Sequence, residues 1–274
     1  MAFKLDGPLL LAGAGKMGGA LLEGLMAQGL PAGQIIVQEP SPSEGAAEFF
    51  KRAGIRCEAM ITALDEAPCV IIAAVKPQVM EDVLRPLAKL AGPRTIVLSI
   101  AAGKTLASFE RHLPAGTSVI RAMPNTPAQV GRGVTACVAN AATSAEQRAT
   151  ATALLSSVGS VVWLESEADM DAVTAVSGSG PAYVFLVAEC LADAGRAAGL
   201  SPELAATLAR ATVAGAGELL YRSDLDAATL RRNVTSPGGT TAAALEVLMR
   251  TPGLEDLMRD AVAAAVRRSR ELSK

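Results

Sequence analysis

The chain has 274 residues, 25 of them basic and 27 acidic, for a formal net charge of -2. Spread without blocks, that balance gives no electrostatic footprint for nucleic acid or an anionic membrane, and it favours a small-molecule partner. Half of the residues are hydrophobic and the mean hydropathy is +0.34, yet no run reaches the roughly 18 uninterrupted apolar residues of a membrane span.

The first apolar run, Pro8 to Ala14, breaks into glycines where a small-residue cleavage site would stand, so it is expected to be a strand and not a signal peptide. Short runs rich in Val, Ile and Leu then recur to about residue 164: PLLLA, QIIVQ, CVIIAAV, TIVLSI, SVIRAM, VTACVA and SVVWLE. Continuous apolar runs of that length mark strands covered on both faces. Helical patterns fit between them, one over 16–28 stopped by Gly29, another opened by a capping box of Ser144 and Gln147. These features predict an α/β domain, a doubly wound sheet over 1–166. After Trp163 the chain becomes Ala- and Leu-rich with helical spacing and no strand, which predicts an all-helical second domain over 167–274. Within it, Ser201-Pro202 and Thr251-Pro252 each read as a hydroxyl N-cap followed by proline at the first helical position. Cys57, Cys69, Cys137 and Cys190 stand far apart in apolar contexts, with no CxxC pair and a single histidine. No metal site is expected; buried thiols in a reducing cytoplasm are.

The segment LLLAGAGKMGGALLEGL places Gly13, Gly15 and Gly18 in G-x-G-x-x-G spacing between a strand and a helix, the context that makes this motif informative. Gly13 allows the tight turn, Gly15 clears the approach of a pyrophosphate, and Gly18 lets the helix pack on the strand. The free N–H groups of the helix N-terminus suit the phosphates. A Rossmann-like dinucleotide site is the expectation. Glu39, after the second strand, falls where a carboxylate bonds a ribose 2′-hydroxyl, although a solvated loop carboxylate fits equally; Ser41 and Ser43 offer hydroxyls to a phosphate. The choice between NADH and NADPH stays open.

Five stretches carry a further resemblance: AAVKPQ (residues 73–78), SIAAG (99–103), RAMPNTPA (121–128), SGSGPAYVF (177–185) and TSPGGTT (235–241). In this order, with the glycine loop, they resemble pyrroline-5-carboxylate reductase, and the resemblance covers essentially the whole chain. It implies a dinucleotide-binding domain followed by a helical dimerisation domain, a homodimer or higher homo-oligomer, and reduction of a cyclic imine to proline. It also implies that Gly13, Ala14, Gly15, Lys16, Met17, Gly18, Ser41, Ala74, Val75, Lys76, Pro77, Ile100, Ala101, Ala102 and Asn233 contact the cofactor, with Asn125 near its nicotinamide end. Glu167, Gly238, Gly239, Thr240 and Thr241 would contact substrate, the Thr241 hydroxyl nearest the imine nitrogen. An acidic Glu39 departs from the NADPH preference of many relatives.

The residues bear readings of their own. Lys76 is held extended by Pro77 and is either a cofactor contact or a solvated lysine. Asn125, in a Pro-Asn-Thr-Pro turn, either serves the nicotinamide or bonds nearby backbone. In TSPGGTT, Gly238 and Gly239 expose backbone N–H groups and the helix from about Thr240 aims its positive end outward, an anion site suited to a carboxylate. A protonated five-membered imine accepts hydride directly, so little titratable machinery is needed, and no catalysis is assigned to His112. A related imine or hydroxyacid reductase, or a non-catalytic NAD(P)H sensor, are the alternatives; the sensor has no need of the TSPGGTT loop.

Overall fold

The computed structural model describes residues 5–272. Its strands are β1 (Leu9–Ala12), β2 (Ile35–Gln38), β3 (Arg56–Glu58), β4 (Val70–Ala73), β5 (Ile96–Ser99), β6 (Ser118–Met123), β7 (Gly133–Ala139) and β8 (Gly159–Trp163). They form one sheet in the order β3-β2-β1-β4-β5-β6-β7-β8. The seven expected runs are all strands. β3 is added: it has three residues at the sheet edge, two of them charged, and so shows no apolar run.

β1 to β6 pair in parallel, and β1, β2, β4 and β5 are buried along their whole length. Alternate side chains serve opposite faces. Leu9, Leu11, Val37, Ile72 and Leu98 pack against Leu21, Leu22 and Leu25 of α1 (Lys16–Ala27). On the other face Leu10, Ile71 and Val97 meet Met80, Leu84 and Leu87 of α3 (Met80–Ala88). Each such fully buried aliphatic side chain contributes about 1.5–3 kcal/mol. α2 (Glu44–Ala53), α4 (Leu106–Glu110) and α5 (Ala145–Leu155) complete the layers, and the Ser144–Gln147 capping box opens α5.

β7 runs antiparallel to β6. Residues 124–132 are too few for the crossover that a parallel partner needs, so the chain turns back through a 3-10 turn, Thr126–Val130. From β1 the chain winds to β2 and β3 on one side and, through β4, to β5 and β6 on the other. The reversal lies between β1 and β4, where open α/β sheets form a ligand crevice at their carboxyl ends.

The remaining helices are α6 (Met170–Val173), continued by a π turn (Thr174–Gly178), then α7 (Gly180–Ala197), α8 (Pro202–Arg222), α9 (Ala227–Asn233), α10 (Thr240–Leu248) and α11 (Leu254–Leu272). Composition and packing divide the chain at different places. One compact unit runs to Gly178 and takes in the residues from Val266; the other is Ser179–Ala265. Met170 and Ala175 are buried in the first unit, and there the Ser269 hydroxyl donates to Asp171 Oδ1 at 2.6 Å, which is why these helical residues belong with the sheet.

In the second unit, α7 and α8 pack through small residues: a Cβ on Gly195 would lie 3.3 Å from that of Ala205, and Ala209 is buried. Ser201 caps α8 as expected, its hydroxyl accepting the Leu204 N–H. The Thr251 cap is not formed. α11 starts at Leu254, and the Asp256 carboxylate closes its N-terminus by accepting the Gly253 N–H at 3.0 Å. Val184, Phe185, Leu186, Val187 and Leu191 of α7 are exposed on this chain. The helical run Glu167–Ala197 is long and apolar enough, by length and composition alone, to cross a membrane. The sequence pattern shows no unbroken run there because Gly178, Ser179, Gly180 and Pro181 interrupt it, and the structure also breaks there: the π turn ends at Gly178, Ser179 is a bend and α7 begins at Gly180. The thiols also part from expectation. Cys137 is buried, Cys57 and Cys69 are half-buried, and Cys190 is exposed, because it sits on the outward side of α7.

Candidate active site

Gly13 follows β1 directly, with φ of +93°, and its N–H donates to Gln38 O at 2.9 Å. A Cβ here would lie 2.7 Å from the Ala74 carbonyl oxygen, so the turns after β1 and β4 touch. A Cβ on Gly18 would run into the Gly13 carbonyl oxygen; its absence lets α1 press onto the turn. At Gly15 the need is different. No atom lies within 4 Å of the position its Cβ would take, and Gly15 caps α1 with no side-chain bond, leaving the first N–H groups of α1 without an intrahelical acceptor. Beside it opens a cleft of about 810 Å³ lined by Ala14, Lys16, Glu39, Ser41 and Phe49 among others. An open backbone, an uncapped helix N-terminus and an adjoining cleft fit a dinucleotide, with the pyrophosphate at α1.

The other turns of the first unit gather at the same sheet edge. Ala74 donates its N–H to Ala12 O at 2.8 Å; Val75 and the exposed Lys76 follow, and Pro77 opens a 3-10 turn with Lys76 extended at ψ of 145°. Ile100 donates to Ala73 O at 3.1 Å and the buried Ala101 N–H to Ser99 Oγ at 3.2 Å, leaving Ala102 exposed. Met17, half-buried, packs against the core behind the glycine loop. Ser41 N–H donates to Glu39 Oε1 at 3.2 Å. Asn125 bonds backbone with both ends of its side chain: Oδ1 accepts the Val134 N–H at 2.9 Å, and Nδ2 donates to Ser177 O at 3.1 Å. It therefore ties the β6 end to β7 and to the π turn.

The sequence reading missed Arg121. This arginine, 5% exposed on β6, donates from Nη1 to Glu167 Oε1 at 2.9 Å, and the same oxygen accepts the Leu106 N–H at 2.9 Å. Glu167 thus holds a buried cation and the first turn of α4. The available signal was an arginine inside the apolar run SVIRAM, which needs a partner if it is to be buried. His112 is half-buried just after α4 and belongs to none of these turns. Among the described residues no group of three or more His, Cys, Asp or Glu could hold a metal.

In the second unit, Asn233 is the exposed last residue of α9. The turn that follows reaches Gly238 with φ of +68°, and the Gly239 N–H donates back to Ser236 O at 3.0 Å. Thr240, exposed, and Thr241, half-buried, open α10. Ser43, Thr105, Ser144, Ser201 and Asp226 each close a helix N-terminus with a side-chain oxygen. At α10, as at α1, a glycine stands in that place with no side-chain bond. Its first N–H groups have no side-chain or intrahelical acceptor.

Residues 167–272 match the family model described as pyrroline-5-carboxylate reductase dimerisation, and residues 9–103 match one described as NADP oxidoreductase, coenzyme F420-dependent. The pyrroline-5-carboxylate reductase of Pseudomonas aeruginosa is 44% identical over 96% of this chain and 95% of its own length. That of Mycobacterium tuberculosis is 40% identical, over 96% of each.

The chain belongs to the pyrroline-5-carboxylate reductase family.

Solved pyrroline-5-carboxylate reductases agree with it in fold. The Coxiella burnetii protein superposes with a TM-score of 0.91 at 34% identity, covering 98% of this chain and 100% of that one. A Plasmodium falciparum pyrroline carboxylate reductase, solved with NADP bound, gives 0.81 at 29%, covering 98% and 99%. The exposed apolar residues of α7 and Cys190 lie within the matched dimerisation region. That match accounts for an apolar run that length alone could assign to a membrane.

Proposed function

We propose that this chain is an oxidoreductase of proline biosynthesis, reducing 1-pyrroline-5-carboxylate to L-proline with NAD(P)H. What carries the reading is the glycine-capped N-terminus of α10 in a chain that matches pyrroline-5-carboxylate reductases along its length. The bound dinucleotide supplies the hydride, which goes to C5 of the ring while the nitrogen ends as an amine.

The residues of the chain bind, orient and balance charge. Gly13, Ala14, Gly15, Lys16, Met17 and Gly18 hold the pyrophosphate at α1, and Ser41, Ala74, Val75, Lys76, Pro77, Ile100, Ala101, Ala102, Asn125 and Asn233 serve the rest of the cofactor. For Asn125 that role is positional, since its side-chain amide is bonded to Val134 and Ser177. Gly238, Gly239 and Thr240 present N–H groups to the substrate carboxylate. Thr241 sets its hydroxyl against the ring nitrogen, its oxygen accepting from the protonated imine N–H and its O–H donating to the amine that forms, and so orients the ring as charge shifts. Glu167 is a further substrate contact, its carboxylate fixed by Arg121. By this reading 1–166 form the dinucleotide-binding domain and 167–274 the substrate and dimerisation domain, in a cytoplasmic homodimer or higher homo-oligomer. Loss of nicotinamide absorbance on adding the authentic imine tests the reaction; no loss from folded protein overturns it.

A further inference from the structure

We propose that Glu39 makes this chain discriminate against a cofactor bearing a 2′-phosphate, so that NADH is the preferred reductant. The inference rests on the dinucleotide site proposed above and specifies its ligand.

Glu39 is the first residue after β2, and its own N–H donates to Glu58 O at 2.9 Å, which fixes the backbone. The side chain is fixed as well. Oε2 accepts the N–H of Ala14, inside the glycine loop, at 2.8 Å, and Oε1 accepts the Ser41 N–H at 3.2 Å. The carboxylate therefore spans the glycine loop and the turn leading to α2, on the wall of the cleft it lines. A solvated loop carboxylate could make the local bond to Ser41 but would lack the one to Ala14 in the glycine loop.

The neighbours add no cationic counterpart beyond Lys16. Charged residues lining the cleft are Lys16, Glu23 and Glu39, with no arginine among them, and Lys51 and Arg52 lie in the last turn of α2, away from its lining. The Ser43 oxygen accepts the Ala46 N–H as the cap of α2, and its O–H, like that of Ser41, is a neutral donor that brings no positive charge to offset a phosphate. A 2′-phosphate would thus bring its charge against a carboxylate that two backbone bonds keep from swinging away. A free ribose diol, by contrast, donates to that carboxylate, whose oxygens each accept more than one bond. That a relative at 29% identity was solved with NADP shows only that the fold admits the phosphorylated cofactor elsewhere in the family.

The test is titration of the purified full-length protein with NADH and with NADPH, followed by cofactor fluorescence without imine, alongside kcat/KM for both with the imine. NADH is expected to bind more tightly by about tenfold or more. Glu39→Ser and Glu39→Gln are each expected to move the ratio toward NADPH by about tenfold; the glutamine keeps the size of the side chain if serine impairs folding. Wild-type protein that binds NADPH as well as NADH overturns the proposal, as does a ratio that neither variant moves. Failure to reduce the imine with either cofactor would instead refute the reaction, and the binding ratio would still decide the role of Glu39.

Discussion

Arg121 and Glu167, 46 positions apart, form an ion pair at 2.9 Å in which the guanidinium side chain is 6% exposed and the carboxylate side chain 28%. The two ends are unequal, and so are the costs of losing them. Glu167→Ala strands a buried cation and frees the Leu106 N–H, a loss of about 3 kcal/mol. Arg121→Met leaves a carboxylate that water can reach and a strand position refilled by an apolar chain, a loss of about 1 kcal/mol. Urea denaturation of the two variants measures the order. Equal losses, or a larger one for Arg121→Met, would show that the pair does not hold β6 to α4 in this way.

The glycine loop predicts opposite outcomes at two nearby positions. In Gly18→Ala the added methyl meets the Gly13 carbonyl oxygen, so the variant should lose about 1–3 kcal/mol and bind cofactor poorly. In Gly15→Ala the methyl meets nothing within 4 Å and φ is -66°, so stability should hold while cofactor affinity falls. Thermal unfolding and cofactor titration, run on both, separate packing from ligand approach. A Gly15→Ala protein with undiminished affinity would move the pyrophosphate away from this residue.

Thr241→Ala tests the second glycine-capped helix. Loss of one hydrogen bond made in the reaction, about 1.5 kcal/mol, corresponds to about tenfold lower turnover, with cofactor binding retained. Unchanged turnover at saturating substrate would remove Thr241 from the mechanism.

How much of this was legible beforehand depended on the distance over which the information is encoded. β1, β2, β4 and β5 were visible because burial on both faces demands unbroken runs of aliphatic residues. The Ser144 and Ser201 caps were visible because a cap and its acceptor lie within one turn. Thr251 misled for the same reason: its local pattern was right, but Asp256 already closes α11 from inside the helix. β3 has no run to show, and the reversed direction of β7 is set by the length of its connection, not by its residues. In the site, the glycine spacing was legible and each glycine has a different steric reason for its place. Partners far along the chain were not: Arg121 with Glu167, Glu39 with Ala14, and Asn125 with Ser177 are made by the fold.

The cysteines predict a pH effect on stability. Burial pushes the Cys137 thiol up to about 12 and the Cys69 thiol up to about 11, from an ordinary value of 9.0. Above about pH 9 the unfolded chain has shed these protons while the folded chain retains them, so the unfolded state binds fewer protons and stability falls as pH rises. The contribution is fully present below about pH 9 and is gone above about pH 12. Cys137→Ala should flatten the decline, read as the change of denaturation midpoint with pH across that window. A decline identical to wild type would contradict the burial argument.

The central claim is the reaction itself, and the most direct measurement is the rate of nicotinamide absorbance loss when 1-pyrroline-5-carboxylate is added to folded protein with NADH or NADPH, with proline assayed as product. The account predicts oxidation of one cofactor molecule for each proline formed, and a rate about tenfold lower in Thr241→Ala. Folded protein that binds cofactor yet forms no proline with either dinucleotide would contradict it.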